Sequence, residues 1–277
     1  MLKGYVNRII PFSFVDGPGN RSAVFLQGCD FSCKYCHNPE TINMCSGCGR
    51  CVELCPRGAL TLSKEGIKWN SGLCAFCDRC LKVCSYNSSP RVRTMTMEQV
   101  FEEIREALPF IEGITVSGGE CTKQNGFVTE LFREAHAFGK TAFADTNGET
   151  DFRSIPELTK EMDKAMLDIK SSDAREHIML TGSSNETVIE NARYLASIGK
   201  LYEIRTVVVP GFLDNFRTVD FASRLIAPYP EVRYKLIRFR KWGVRGPLEE
   251  FPVPDDSVME PLKELALKNG VKIVEVI

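Results

Sequence analysis

Ser22-Ala23-Val24-Phe25-Leu26-Gln27 runs without interruption into Gly28 and then Cys29-Asp30-Phe31-Ser32-Cys33-Lys34-Tyr35-Cys36. The first six residues are a short, mostly apolar run with β-branched and aromatic content, which predicts a buried strand from Ser22 to Gln27. Three thiols are therefore delivered to the point where that strand stops. In parallel α/β sheets, open or closed, chemistry collects at the carboxyl ends of the strands. Whether this strand belongs to such a sheet depends on the pattern of the remaining chain.

Downstream, strand and helix periods alternate. Met97 to Leu108 has helical spacing, followed by strand Ile111 to Val116, helix Gly126 to Phe138 and strand Thr141 to Ala144. Helix Ile155 to Met162, strand Ala165 to Ile169, helix Glu186 to Ile198 and strand Leu201 to Val209 continue the pattern. Helix Asn215 to Ile226, strand Val232 to Phe239, helix Ser257 to Lys268 and strand Val271 to Val276 complete it. About six βα units in succession predict an α/β fold with a parallel sheet, read here as a partial (β/α)6 TIM-like barrel. The 277 residues suffice for one such barrel-like domain. From Thr41 to Pro90 the text is rich in Cys, Gly and Ser and poor in long apolar segments. It reads as an insert over 41–90 in a barrel made of 1–40 and 91–277.

Lys+Arg 35 against Asp+Glu 36 leaves a formal charge of -1, so no global field draws in nucleic acid or an anionic membrane. A composition of 43% hydrophobic and 26% charged residues excludes disordered and collagen-like chains. MLKGYVNRII lacks the apolar core of a secretion signal, and no apolar run approaches a membrane span. Eleven of the 12 cysteines lie between Cys29 and Cys84, most too close to their neighbours for unstrained disulfides. These features predict metal ligands in a reducing, cytoplasmic compartment.

Cys29, Cys33 and Cys36 supply three ligands and leave one coordination position open. Zinc would make this a catalytic site, or a closed structural site with His37 as fourth ligand. A 4Fe-4S cluster would instead keep one iron free for a substrate. The C-x3-C-x2-C spacing at a strand end favours iron-sulfur, and His37 reads as a turn residue. In the insert, Cys45, Cys48, Cys51 and Cys55-Pro56 are followed by Cys74, Cys77, Cys80 and Cys84. These are two copies of the bacterial ferredoxin run, and the tandem repeat weighs against two zinc sites. In two-cluster ferredoxins the fourth cysteine crosses over, which groups Cys45, Cys48, Cys51 and Cys84 on one cluster and Cys74, Cys77, Cys80 and Cys55 on the other. The insert is read as an electron relay.

Further motifs carry a resemblance. Asp16-Gly17-Pro18-Gly19-Asn20-Arg21, Phe25 to Cys29, the three-cysteine motif and His37-Asn38-Pro39-Glu40 stand together at the start of the chain. Ser117-Gly118-Gly119-Glu120 with Gln124, Asp145-Thr146-Asn147-Gly148 and Met166-Leu167-Asp168-Ile169-Lys170 come next, then Thr181-Gly182 and Arg205 leading to Val207-Val208-Val209-Pro210-Gly211. The set resembles the radical S-adenosylmethionine enzymes, in particular the glycyl-radical-enzyme activases of the YjjW type. The resemblance implies S-adenosylmethionine chelated to the open iron, cleaved reductively to methionine and a 5'-deoxyadenosyl radical. That radical would abstract a Cα hydrogen from a glycine of a partner glycyl-radical enzyme, with electrons from a flavodoxin or ferredoxin-type donor. Three 4Fe-4S clusters are thus expected in all.

The resemblance also implies residue roles. Tyr35 would lie against the adenine, and Gly118, Gly119 and Glu120 would form a wall in which Glu120 accepts from the ligand ammonium. Asp168 and Lys170, two apart on a strand, would face the methionyl and ribose portions. Asp145, Thr146 and Met166 resemble a monovalent cation site. Arg205, if it faces inward, needs an anionic partner. Arg240 stands where the family commonly has a ligand-reaching His, and Cys121 reads as a small buried residue. Among Arg233, Lys235, Arg238, Arg240, Lys241 and Arg245, most are expected on a solvated strand end, with a minority steering a partner protein. The alternatives are a radical enzyme acting on a small molecule or maturing another protein, and a non-catalytic iron-sulfur electron carrier. The carrier would leave Cys29, Cys33, Cys36 and the glycine motif without a purpose.

Overall fold

A computed structural model describes residues 2–277. Strand β1 (Gly4–Ser13) leads into β2 (Arg21–Leu26), whose six residues are all buried. The cysteine-rich segment contributes a hairpin of β3 (Leu60–Ser63) and β4 (Gly66–Trp69) and the single turn α1 (Arg79–Lys82). β5 (Arg93–Met95) and α2 (Met97–Glu103) return the chain to the sheet. Next come β6 (Gly113–Gly118), α3 (Asn125–Ala137), β7 (Thr141–Thr146), α4 (Pro156–Glu161) and β8 (Lys164–Asp168). The chain ends with α5 (Ala174–Thr181), α6 (Glu186–Ser197), β9 (Leu201–Val208), α7 (Asn215–Ile226), β10 (Arg233–Arg238), α8 (Asp256–Lys268) and β11 (Ile273–Val276).

Nine strands form one sheet in the order β11-β10-β9-β8-β7-β6-β2-β1-β5. From β2 to β11 every neighbouring pair is parallel, whereas β1 runs antiparallel to both β2 and β5. This is the mostly parallel α/β sheet that the alternation predicts, because each helix carries the chain back over one face before the next strand begins. The register levels the carboxyl ends: Leu26 lies opposite Gly118, Thr146 opposite Leu167, and Asp168 opposite Arg205. Leu26, Val116, Ala144, Leu167 and Ile204 join Leu131, Phe132, Leu195 and Leu262 of the helices in one buried core.

The helices begin where side chains satisfy the free amides. Thr96 and Gln99 form a reciprocal capping box at α2, and Asp173 accepts from two amides at the start of α5. Arg21, 1% exposed, is a staple rather than a site residue. Its guanidinium lies 4.1 Å from the Phe143 ring centroid and donates to Thr115 Oγ1 and the Ile114 carbonyl. Burial lowers its pKa to about 10.

The structure departs from the sequence reading at several elements. β1, β5, the β3–β4 hairpin and α5 carry too few regularly spaced apolar residues to stand out, and they gain their order from pairing partners or caps. Gln27 lies beyond the end of β2, and its side-chain amide donates to the carbonyls of Glu40 and Asn43. α2 stops at Glu103, short of Leu108.

Candidate active site

The carboxyl ends of six neighbouring strands, β2 and β6 to β10, open onto one cavity of about 230 Å³. Cys29, Cys33, Tyr35 and Cys36 form one wall, Gly118 and Gly119 the next, and Asp145, Thr146, Asp168, Lys170 and Arg205 the remainder. Sequence positions more than 170 residues apart thus meet because the register brings these strand ends level. Phe31, His37, Asn38, Ser117, Asn147, Val207 and Ile237 also line the cavity, and the sequence reading assigned them no binding role.

All cysteines are free thiols. Burial pushes the pKa of Cys29 and Cys36 up to about 12 and that of Cys33 upward as well. Desolvation outweighs the nearby Lys170 charge at Cys33 and Cys36, so these thiols resist ionisation, and a bound soft metal centre reverses that preference. Such a donor set fits an iron-sulfur group. Asn147 strengthens the fit, since its side-chain amide lies 3.5 Å from Cys29 Sγ, where a hydrogen bond tunes a thiolate ligand. Among the described residues, no three His, Cys, Asp or Glu side chains surround a single point in the way one metal ion needs.

Glycine at two positions is dictated by backbone crowding. A Cβ on Gly118, whose φ is +113°, would lie 2.2 Å from the Leu26 nitrogen, and one on Gly119 would lie 2.2 Å from the Gly28 carbonyl oxygen. The close approach is to the backbone that carries Cys29, as well as to the cavity. Glu120 differs from its expected placement and does not line the cavity. It is 1% exposed, and it accepts from the Thr122 amide and hydroxyl, the Thr146 hydroxyl and the Asn147 amide. Three of these donors share Oε1 and one reaches Oε2, so the carboxylate braces the loops after β6 and β7.

Charge is paired across the cavity floor. Lys170 Nζ lies 2.8 Å from Asp168 Oδ2 and 5.7 Å from the centroid of the Tyr35 ring. Burial opposes the Lys170 ammonium, but Asp168, Tyr35 and Cys33 outweigh it and hold its pKa well above the usual lysine value. Tyr35 is buried, and its hydroxyl has no hydrogen-bond partner within the protein. Arg205 does face inward and finds protein carboxylates: Nη1 donates to Asp145 at 2.9 Å and Nε to Glu203 at 2.6 Å. Its Nη2 lies 2.9 Å from Met166 Sδ. The positive charge between Asp145 and Met166 is therefore this guanidinium, and Met166 itself lies fully buried behind the cavity surface. Burial pushes the Asp145 carboxyl upward despite the Arg205 charge beside it.

Arg240 is exposed and does not line the cavity. Cys121 is buried against Glu120, as a small core residue would be. Three of the six basic residues are ion-paired, Arg233 with Glu275, Lys235 with Glu203 and Arg238 with Asp256, while Arg240 and Lys241 are exposed.

In the cysteine-rich segment two hollows divide the remaining thiols. One is lined by Cys45, Cys48, Cys51 and Cys84 with Ile67 and Ser88, and the other by Cys55, Cys74 and Cys77 with Trp69 and Arg91. Cys80 reaches both. Each fourth cysteine sits with the other run's triplet. Ser88 Oγ lies 3.3 Å from Cys84 Sγ, and although burial acts to raise the Cys84 pKa, this contact and nearby amides bring it below the usual thiol value.

Comparison with known proteins identifies the family and the fold. The model of the Radical SAM superfamily matches residues 23–221. The isethionate sulfite-lyase activating enzyme of Desulfovibrio desulfuricans is 32% identical, over 88% of this chain and 85% of its own. The pyruvate formate-lyase-activating enzyme of Streptococcus mutans is also 32% identical, over 95% of this chain and 91% of its own. QueE from Escherichia coli, 13% identical, superposes with a TM-score of 0.56 over 99% of this chain and 94% of its own, a likeness of fold alone.

Proposed function

The chain belongs to the radical SAM superfamily and, within it, to the glycyl-radical-enzyme activating enzymes; from that premise we propose that it installs a glycyl radical in a partner enzyme. Membership of an enzyme family sets aside the non-catalytic electron carrier, and it brings S-adenosylmethionine and one 4Fe-4S cluster as cofactors. The observation that carries the proposal is the single cavity in which three thiols meet the Asp168–Lys170 and Asp145–Arg205 pairs.

In this reading Cys29, Cys33 and Cys36 would hold the cluster, and S-adenosylmethionine would bind beside it in the cavity. When bound, the two cofactors would supply the one-electron reductive chemistry by which a Cα hydrogen is removed from the partner's glycine. Lys170 and Asp168 hold the ribose and methionyl portions. Tyr35 offers its flat buried face to the adenine, the role expected of it. Gly118 and Gly119 form the close wall, and Glu120 acts by fixing Thr146 and the Asn147 amide. Arg205 finds its anionic partners within the protein, in Asp145 and Glu203, and fixes that side of the cavity. Because it already neutralises Asp145, a monovalent cation at Asp145, Thr146 and Met166 is not required for charge balance. Arg240 has no place at the ligand in this arrangement.

The fold is assigned as a partial (β/α)6 barrel made of 1–40 and 91–277, with a ferredoxin-like insert over 41–90. Two further 4Fe-4S clusters are assigned to the insert, one on Cys45, Cys48, Cys51 and Cys84 and one on Cys55, Cys74, Cys77 and Cys80. The two hollows support that division. They would pass electrons from a flavodoxin or ferredoxin-type donor in a reducing cytoplasm. No described helix is long and apolar enough to cross a membrane.

Anaerobic incubation of the reduced protein with S-adenosylmethionine and a glycyl-radical enzyme encoded beside it tests the reading. Matched yields of 5'-deoxyadenosine and of a glycyl-radical EPR doublet on the partner are expected. Turnover of a small molecule, with no radical on the protein partner, would overturn it.

A further inference from the structure

We propose that Arg245 is the positioning residue that seats the cysteine-rich segment on the active site, and that it does so at the Cys45–Cys48–Cys51–Cys84 pocket. The inference rests on the reading that this segment carries clusters, and it names the side of the segment from which an electron leaves.

Arg245 lies in the loop after β10, in a run of basic residues whose strand members are occupied by carboxylates. It has a different kind of partner. Its Nη1 donates to the Cys84 carbonyl at 2.8 Å and to Asn87 Oδ1 at 2.6 Å, and its Nη2 donates to the Leu81 carbonyl at 2.7 Å. Three acceptors around one turn use the planar fork of the guanidinium, which a lysine could satisfy only in part. Two residues earlier, Gly243 adopts a φ of +80°, and a Cβ there would lie 2.3 Å from the carbonyl oxygen of His37. His37 directly follows Cys36 and lines the active-site cavity. One short loop therefore touches the third active-site cysteine's neighbour at one end and the carbonyl of Cys84 at the other.

A second, independent tie reaches the same turn. The Asn43 amide donates to the Asn87 carbonyl at 3.0 Å and its side-chain amide to the Tyr86 carbonyl at 2.9 Å. One residue before it, Ile42 accepts from the Cys29 amide at 2.9 Å. The other pocket is anchored differently, through Arg91, which donates to Asp78 at 2.7 Å on the way into β5 at the sheet edge. Residues bonded to Cys29 and packed on His37 thus converge on Cys84. A reduced flavodoxin- or ferredoxin-type donor would lose one electron to the segment, and that electron would leave at the Cys84 side to reduce the cluster held by Cys29, Cys33 and Cys36.

The test compares Arg245→Ala, Arg245→Lys and the exposed loop control Lys241→Ala with the parent, all anaerobic and cluster-loaded. Hydrogen exchange at Asn43, Val83 and Cys84 is expected to rise about tenfold in Arg245→Ala, the equivalent of one charge-assisted hydrogen bond. Amides of the β3–β4 hairpin should not change, and Arg245→Lys should recover part of the protection. Formation of 5'-deoxyadenosine should fall with flavodoxin and stay unchanged with dithionite, which reaches the active-site cluster directly. Unchanged exchange, or equal losses with both reductants, would overturn the proposal. A parent protein that cleaves no S-adenosylmethionine with either reductant defeats the activase reading instead, and the exchange arm still decides the seat.

Discussion

Replacing Glu203 by Gln probes the charge network beneath the cavity. Glu203 is 1% exposed and accepts from two cations, Arg205 Nε at 2.6 Å and Lys235 Nζ at 2.9 Å. Without its charge, Arg205 retains Asp145 at 2.9 Å, while Lys235 retains only Glu275 at 3.6 Å. Both cations are largely removed from water, with side-chain exposures of 11% and 14%, so solvent recovers little of the loss. Burial alone opposes the Arg205 charge, and Asp145 and Glu203 together outweigh it. Breaking a buried pair by deleting one partner costs about 3–5 kcal/mol. Gln keeps an acceptor oxygen, which places the expected loss near the lower end, about 3 kcal/mol. For a chain of this size a urea slope of about 3 kcal/mol/M is reasonable, so the midpoint should fall by about 1 M. Anaerobic urea unfolding of the loaded protein measures it. Lys235→Met in the same background removes the stranded cation, and it should restore most of the loss in a double-mutant cycle. A midpoint within about 0.3 M of the parent would refute the reasoning, because the uncompensated cations would then cost little.

Anaerobically reconstituted protein should contain about twelve irons, and colourless protein with two or three zinc ions would contradict the cluster assignment. Cys33→Ala should abolish 5'-deoxyadenosine formation while leaving about eight irons in the insert, as measured by iron analysis and product chromatography. Replacing Cys48 and Cys77 together by Ala should depress flavodoxin-driven activity far more than dithionite-driven activity. Equal activity of that variant and the parent with both donors would remove the relay from consideration.

Parallel strands buried on both faces announce themselves as apolar runs, which is why β2, β6, β7, β8 and β9 were legible. β1 was not, since most of its residues are exposed or half-buried and it is held by pairing with β2 and β5. The cysteine motifs placed eleven thiols at three cavities because ligand spacing is a local property of sequence. Side-chain direction is not local. Glu120 turns behind the wall because Thr122, Thr146 and the Asn147 amide compete for its oxygens, and only the folded loops bring those donors together. Asn147 stood within a quoted motif, but its reach to Cys29 depends on the juxtaposition of the β2 and β7 ends across the sheet. Arg245 looked like one more basic residue, and its carbonyl partners lie more than 150 positions away.

The parallel bridge between Asn43 and Ser88 means that the two ends of the cysteine-rich segment lie side by side. The backbone bond from Asn43 to Asn87 closes that neck. A segment with touching ends can be spliced into a loop, lengthened or exchanged without shifting the register of any strand on either side. The ancestral gain of an electron-handling module would then have needed one insertion after the third active-site cysteine and no remodelling of the sheet. The neck is thus a socket: what this chain carries between Asn43 and Ser88 can change without disturbing the strand ends that line the cavity.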